Sequence, residues 1–369
     1  MADPWQWLDG ARARVREQGL QRSLSVAPDG VLDLASNDYL GLSRHPLVVD
    51  AAAQAARRLG AGATGSRLVT GTTEAHVALE TALAERTGAE AALVFSSGYL
   101  ANLGAVTTLA GPDVLVVSDA ANHASLVDAC RLSRARVEVV PHRDVGAVAQ
   151  ALDAHPGRAV VVTDAVFSVD GSLAPLAALH DAARAAGALL LVDEAHGLGV
   201  LGPGGAGACA AAGLDGEPDV VRTVTLSKAL GAQGGAVLGP AALRDHLVDT
   251  CRTFIFDTGL APPAAAAALA ALGLVTDERV AALTAAGSAL SSALGVPPTP
   301  GPVVRVPAPG PAEALAWQQR CLAAGVRVGC FRPPSVPRDG SCLRLTARAD
   351  LTAEQLEHAA CVVLTERPA

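Results

Sequence analysis

The chain has 369 residues, half of them apolar, and a formal net charge of -8. That length buries a large core and leaves room for a second, smaller domain, while the acidic balance excludes the basic patch a nucleic-acid-binding surface needs. No apolar run reaches membrane-spanning length without Gly, Pro or charge, and the opening MADPWQWLDGARARVREQ is too polar for a signal peptide, so a cytoplasmic protein is expected.

Short apolar runs rich in Val and Leu recur along the first 240 residues. The strand candidates are 91–95, 114–118, 137–140, 159–163, 189–193 and 220–226. They are apolar on both faces rather than alternating, as strands covered by helices on both sides must be. Between them lie stretches with helical spacing of Leu, Val and Ala, such as 144–154 and 172–186. This alternation predicts an α/β domain with a mostly parallel sheet, in which ligands bind at the carboxyl ends of the strands. After about Pro240 the pattern changes to helices near 264–275 and 278–294. The strand VVRV, a helix over 311–324, short strands near Val326 and Leu343, and a last helix over 352–364 follow. The expected organisation is an N-terminal segment (1–40), a large domain (41–240), and linking helices with a small α+β domain (241–369).

Seven cysteines (Cys130, Cys209, Cys251, Cys321, Cys330, Cys342, Cys361) show no CxxC pairing and no zinc-ligand spacing, so they read as reduced, and no metal is expected. The basic residues are more telling. Of 28, all but Lys228 are arginine. Arg serves for ordinary surface charge, whereas only an amine can deprotonate and attack a carbonyl. The bland alternative is one surface Lys kept by chance.

Four strand ends carry polar groups. Phe95 is followed by SSGYLAN, a turn into a helix that leaves backbone N–H groups at Gly98 and Tyr99 free for a phosphate. Most such turns are plain helix caps. LLLVDEAHGLG puts Asp193 at the end of a buried strand with His196 three residues on. A carboxylate there is costly unless it faces a cation, such as the protonated nitrogen of pyridoxal phosphate. The letters DEAH also mark helicases, but those need a GxxxxGK[ST] phosphate loop, and the chain has none. TLSKALGAQGG places Thr225 and Ser227 beside Lys228, with glycines that let backbone approach a ligand. NHASL places His123 after another strand; alone, a His is more often structural. Together they form the inventory of a pyridoxal enzyme: amine, pyridinium partner, phosphate cradle and ring support.

With LASNDYLGLS, GAGATGSRLVTGTTEAH, SSGYLAN, NHASL, FSVDGSLAPL, VDEAHGLG, TLSKALG, FIFDTGLAPP, FRPPSVP and LRLTARAD in this order, the chain resembles the α-oxoamine synthase family of fold-type I pyridoxal-phosphate enzymes from about Leu20 to Leu364. The resemblance implies joining of an amino acid to an acyl thioester with loss of carbon dioxide. It is strongest to the members of biotin biosynthesis, which use L-alanine and a pimeloyl thioester; a glycine C-acetyltransferase, a 5-aminolevulinate synthase or a serine palmitoyltransferase is the alternative within the family, and an aminotransferase a more distant one in the same fold. It implies that Lys228 holds pyridoxal phosphate and moves the proton at Cα. Asp193 then pairs with the ring nitrogen, His196 bonds the ring oxygen, and His123 stacks on the ring. Gly98, Tyr99 and Thr225 hold the phosphate, as does Thr258 reaching from the second subunit of a homodimer, and Ser168 lines the cofactor site. Asn37 and Arg344 match the groups that hold the substrate carboxylate. Ser335 stands where relatives often have Thr at the acyl substrate, and Gln21 or Arg22 stands where they have an Arg. A non-catalytic partner subunit would be expected to lack the lysine.

Overall fold

A computed structural model describes residues 3–26 and 28–368, apart from the Arg338 side chain. The chain divides into two units, Asn37–Ser168 with Ser172–Thr284, and Met1–Ser36 with Val169–Gly171 and Ala285–Ala369.

In chain order the strands are β1 (Leu32–Asp33), β2 (Ala91–Phe95), β3 (Val114–Asp119), β4 (Arg136–Val140), β5 (Arg158–Asp164) and β6 (Leu189–Asp193). They continue with β7 (Val220–Thr225), β8 (Gly235–Gly239), β9 (Val303–Pro307), β10 (Val326–Arg327), β11 (Gly329–Phe331) and β12 (Cys342–Thr346). The larger unit is built on a seven-stranded sheet of order β2-β8-β7-β6-β5-β3-β4. The five strands from β7 to β4 are parallel, and β8 is antiparallel to both of its neighbours. Two reversals restore direction, so β2 runs the same way as β7 and its carboxyl end joins the same edge.

The continuous apolar runs have the expected cause. Within β5, Val161 packs into one core with Leu115, Val117, Leu190 and Val192, while Val160 and Val162 pack into another with Leu93, Val116 and Leu191. Successive residues point to opposite faces, so both faces of the inner strands are buried and their middle positions are mostly apolar, while the edge strand β4 leaves Val137 and Val139 exposed. All six expected strands form, most with an end shifted by one residue. β8 has no counterpart among the expected strands, because Ala236–Leu238 is too short between glycines to register as one.

Two helices preceding the sheet were not anticipated, Pro46–Leu59 and Glu74–Thr87. The second has its start and stop signals in place: Thr73 and His76 form a reciprocal cap, and Gly88 closes it at φ 66°. The smaller unit has the antiparallel sheet β11-β12-β9 and the pair β1-β10. The helices Pro311–Ala323 and Ala353–Thr365 cover it, and the indole of buried Trp317 donates to Val363 O at 2.9 Å. Among the described residues, no helix is long and apolar enough to cross a membrane.

Candidate active site

The polar residues of the larger unit converge on the carboxyl edge of its sheet. Asp193 ends β6 almost fully buried. Its Oδ2 accepts from Asn102 Nδ2 at 2.6 Å and its Oδ1 from Ala195 N at 2.8 Å. Two hydrogen bonds hold it as an acceptor without supplying a cation. Lys228 follows β7, half-buried, with Nζ 2.8 Å from His196 Nε2. The other ring nitrogen of His196, Nδ1, lies 2.5 Å from the buried Tyr39 hydroxyl.

His196 is aimed by its neighbour in the motif. Glu194 is fully buried and its carboxylate accepts from Ala208 N at 2.8 Å and Cys209 N at 2.7 Å, anchoring the turn that carries His196. Burial pushes the Glu194 carboxyl up, and the two backbone donors oppose that shift.

The phosphate cradle depends on close backbone approach. The helix Gly98–Leu109 is capped by Ser97, whose side chain accepts from Leu100 N. A Cβ at Gly98 would come 3.1 Å from Thr225 Cβ, and one at Gly235 would come 2.5 Å from Gly98 Cα. The start of β8 thus passes directly under the turn and admits no side chain. Thr225 Oγ1 and Ser227 Oγ are 2.8 Å apart beside it. A helix N-terminus with free N–H groups and two hydroxyls suits a phosphate. The Tyr99 hydroxyl turns away to Asp128 at 2.6 Å, so only its backbone is available to such an anion. A buried carboxylate, an amine and an anion cradle along one sheet edge fit pyridoxal phosphate.

His123 caps the helix Ala124–Ser133, and its Nδ1 accepts from Ser125 N at 3.2 Å. Ser168 is half-buried beyond the turn after β5, and Asn37 Oδ1 accepts from the Tyr39 hydroxyl at 3.3 Å. Thr258 is exposed, between Asp257, whose carboxylate bonds Ser96 Oγ, and Gly259, where a Cβ would meet that same oxygen.

In the smaller unit, Arg22 donates to Pro333 O, two residues before the exposed Ser335, while Arg332 holds the carbonyls of Gly19 and Gln21. Arg22 rather than Gln21 therefore sends a charged side chain to the FRPPSVP segment. Arg344 is buried in β12, its guanidinium 4.7 Å from the Phe331 ring centroid.

Five site residues were not singled out from the sequence: Tyr39, Asn102, Ser125, Asp164 and Glu194. Asp164 pairs in register with Asp193 on the adjacent strand, and its Oδ2 accepts from His123 N at 3.2 Å. All five lie in or beside motifs already quoted, and only their partners were invisible.

The fold is that of the fold-type I pyridoxal-phosphate enzymes, and the chain belongs to the aminotransferase class I and II family, whose model matches residues 29–363. A relative from Mycobacterium sp. (strain JLS), an 8-amino-7-oxononanoate synthase, is 60% identical over 362 residues, covering 96% of this chain and 95% of its own. A serine palmitoyltransferase variant from S. paucimobilis with a bound PLP–myriocin aldimine is 28% identical at a TM-score of 0.91, covering 99% of this chain and 98% of its own. An 8-amino-7-oxononanoate synthase from Francisella tularensis is 26% identical at 0.78, covering 92% and 98%.

Proposed function

We propose that this chain uses pyridoxal phosphate to join L-alanine to a pimeloyl thioester, releasing carbon dioxide and the thiol and giving 8-amino-7-oxononanoate. The observation that carries this reading is the Lys228–His196 contact at 2.8 Å beside buried Asp193, in a chain 60% identical to a synthase of that name. The higher TM-score to a serine palmitoyltransferase does not compete with it, because backbone likeness reports the fold, whereas substrate choice lies in side chains.

When bound, the cofactor supplies an electron sink for the pair left on the substrate Cα. The chain supplies the rest. Lys228 Nζ takes the Cα proton and later returns one, and Asp193 holds a proton on the ring nitrogen. His196, steadied by Tyr39 and Glu194, donates to the ring oxygen. Gly98, Tyr99, Thr225 and Ser227 hold the phosphate, and Ser168 lines the cofactor site. Arg344 is the proposed bidentate ligand of the amino-acid carboxylate, and Asn37 a second polar contact for it. Arg22 and Ser335 are the proposed contacts of the acyl substrate.

We also place the protein in the cytoplasm as a homodimer, with Thr258 serving the partner's phosphate site. The exposed Leu68, Val69 and Phe256 support a partner surface here, since the turn Arg67–Gly71 packs against the helix Arg252–Ile255.

Steady-state kinetics on the four pairings of alanine or glycine with pimeloyl-CoA or acetyl-CoA test the substrate assignment. Alanine with pimeloyl-CoA should give the highest kcat/KM. One methyl discriminates by only about 1–3 kcal/mol, so the acyl chain should separate the pairings more than the amino acid does. A maximum with glycine and acetyl-CoA refutes the assignment and leaves the cofactor chemistry standing.

A further inference from the structure

Asn102 lies four residues into the phosphate helix and is turned inward, almost fully buried. Its amide nitrogen donates to Asp193 Oδ2 at 2.6 Å and to Ser125 Oγ at 2.8 Å, while its oxygen accepts from Thr223 Oγ1 at 2.5 Å. The orientation of this amide follows from chemistry. A carboxylate only accepts, so the group facing Asp193 is the NH2, and Thr223 meets the oxygen. Both amide hydrogens are then committed, one to Asp193 and one to Ser125.

Ser125 is completely buried and passes the direction on. With a hydrogen arriving at its oxygen from Asn102, its own O–H is free to point at His123 Nδ1, 2.7 Å away. The Ser125 backbone N–H reaches the same nitrogen at 3.2 Å. A ring nitrogen that accepts from two donors carries no hydrogen, so the proton of the neutral ring sits on Nε2. Loss of water around the ring lowers the His123 pKa, with Asp193 opposing and Lys228 adding to the lowering.

We propose that Asn102 and Ser125 are positioning residues that fix His123 as the Nε2–H tautomer and tie its orientation to the carboxylate of Asp193. His123 then offers substrate a hydrogen-bond donor and no base, which leaves Lys228 to move the proton at Cα. That Asp193 faces a cofactor nitrogen and His123 its ring rests on the function proposed above; the tautomer itself is set by groups of this chain alone, the Ser125 hydroxyl and backbone N–H.

The test is a two-dimensional nitrogen–proton NMR spectrum of the holoprotein grown with 15N-histidine. His123 is assigned by the signals lost in His123→Asn. The wild type should show Nε2 protonated and Nδ1 bare. Ser125→Ala should convert this to a mixture of both tautomers, and the near-isosteric Thr223→Val, acting only through Asn102, should give a smaller shift the same way. A wild-type ring protonated on Nδ1, or on both nitrogens, overturns the proposal, as does an unchanged tautomer in Ser125→Ala. Should Ser125→Ala not fold, the wild-type and Thr223→Val spectra decide alone. Borohydride fixation of the cofactor to Lys228, measured on the same samples, reports the cofactor reading separately. Its failure with the expected tautomer intact would sink the function and spare the relay.

Discussion

Replacing Lys228 by Ala should separate fold from chemistry by a wide margin. The side chain is half-buried with its amine 2.8 Å from His196, and it belongs to neither of the two apolar clusters described above. Removing it takes away the hydrogen bond to His196, worth about 0.5–1.5 kcal/mol net, and no residue of those two clusters. For a chain of this size that lowers Tm by no more than about 6 °C. The catalytic loss is larger. General acid–base transfer alone contributes roughly 100- to 10,000-fold, or about 3–5 kcal/mol of barrier, and covalent attachment of the cofactor is lost as well. Because the chain contains a single lysine, borohydride reduction of the wild-type holoprotein should leave the cofactor on one internal side chain, found at Lys228 by peptide mapping. In Lys228→Ala the thermal transition should stay within that interval while turnover falls at least a hundredfold and denaturation releases all the cofactor. Fixation to another internal side chain, or turnover within tenfold of wild type, refutes the reasoning.

Two further outcomes are expected. Burial first, and then the charge of Asp193, hold the Asp164 carboxyl well above its usual range, with Lys228 and the His123 N–H opposing and Asp119 adding to the rise. The folded protein therefore keeps a proton that the unfolded chain has lost. The stability this gives is complete below the unfolded pKa of about 4 and is lost as pH rises through the folded value. Asp164→Asn, which mimics the protonated acid, should flatten that loss when urea midpoints are followed from acid to alkaline pH, and parallel curves for variant and wild type would contradict it. Sedimentation of the holoprotein should give twice the 37.0 kDa of one chain, and a fully active monomer would remove the shared site assigned to Thr258.

The legible parts of the fold are those in which pattern and environment are the same statement. A strand buried on both faces is mostly apolar, so five of the six expected strands declared themselves by their environment, whereas β4, at the sheet edge with Val137 and Val139 exposed, showed only in its valines. β8 shows the limit. Its position between β2 and β7 depends on two antiparallel pairings, and five residues bounded by glycine contain no period that announces them. The helices Pro46–Leu59 and Glu74–Thr87 carried usable signals, a proline at the first turn and a Thr73–His76 cap.

The site divides along a similar line. Lys228, Asp193 and His196 were legible because a polar residue at the end of an apolar strand has little reason to be there except a ligand. Their supports were not, because a supporting residue is defined by its partner. Asn102 meets Asp193 across 91 positions of chain, and Tyr39 meets His196 across 157. Local geometry nevertheless held one clue. Asn102 is four residues after Gly98, one helical turn along the same face, and Gly98 must face the sheet edge if its backbone is to hold a phosphate. A polar side chain one turn further on, on the buried face of that helix, is therefore aimed at the same strand ends and has to find its partners among them. On the proposed function, the helix that offers its N-terminus to the phosphate is also the one whose Asn102 amide holds the Asp193 carboxylate, so one element serves two points of the cofactor site.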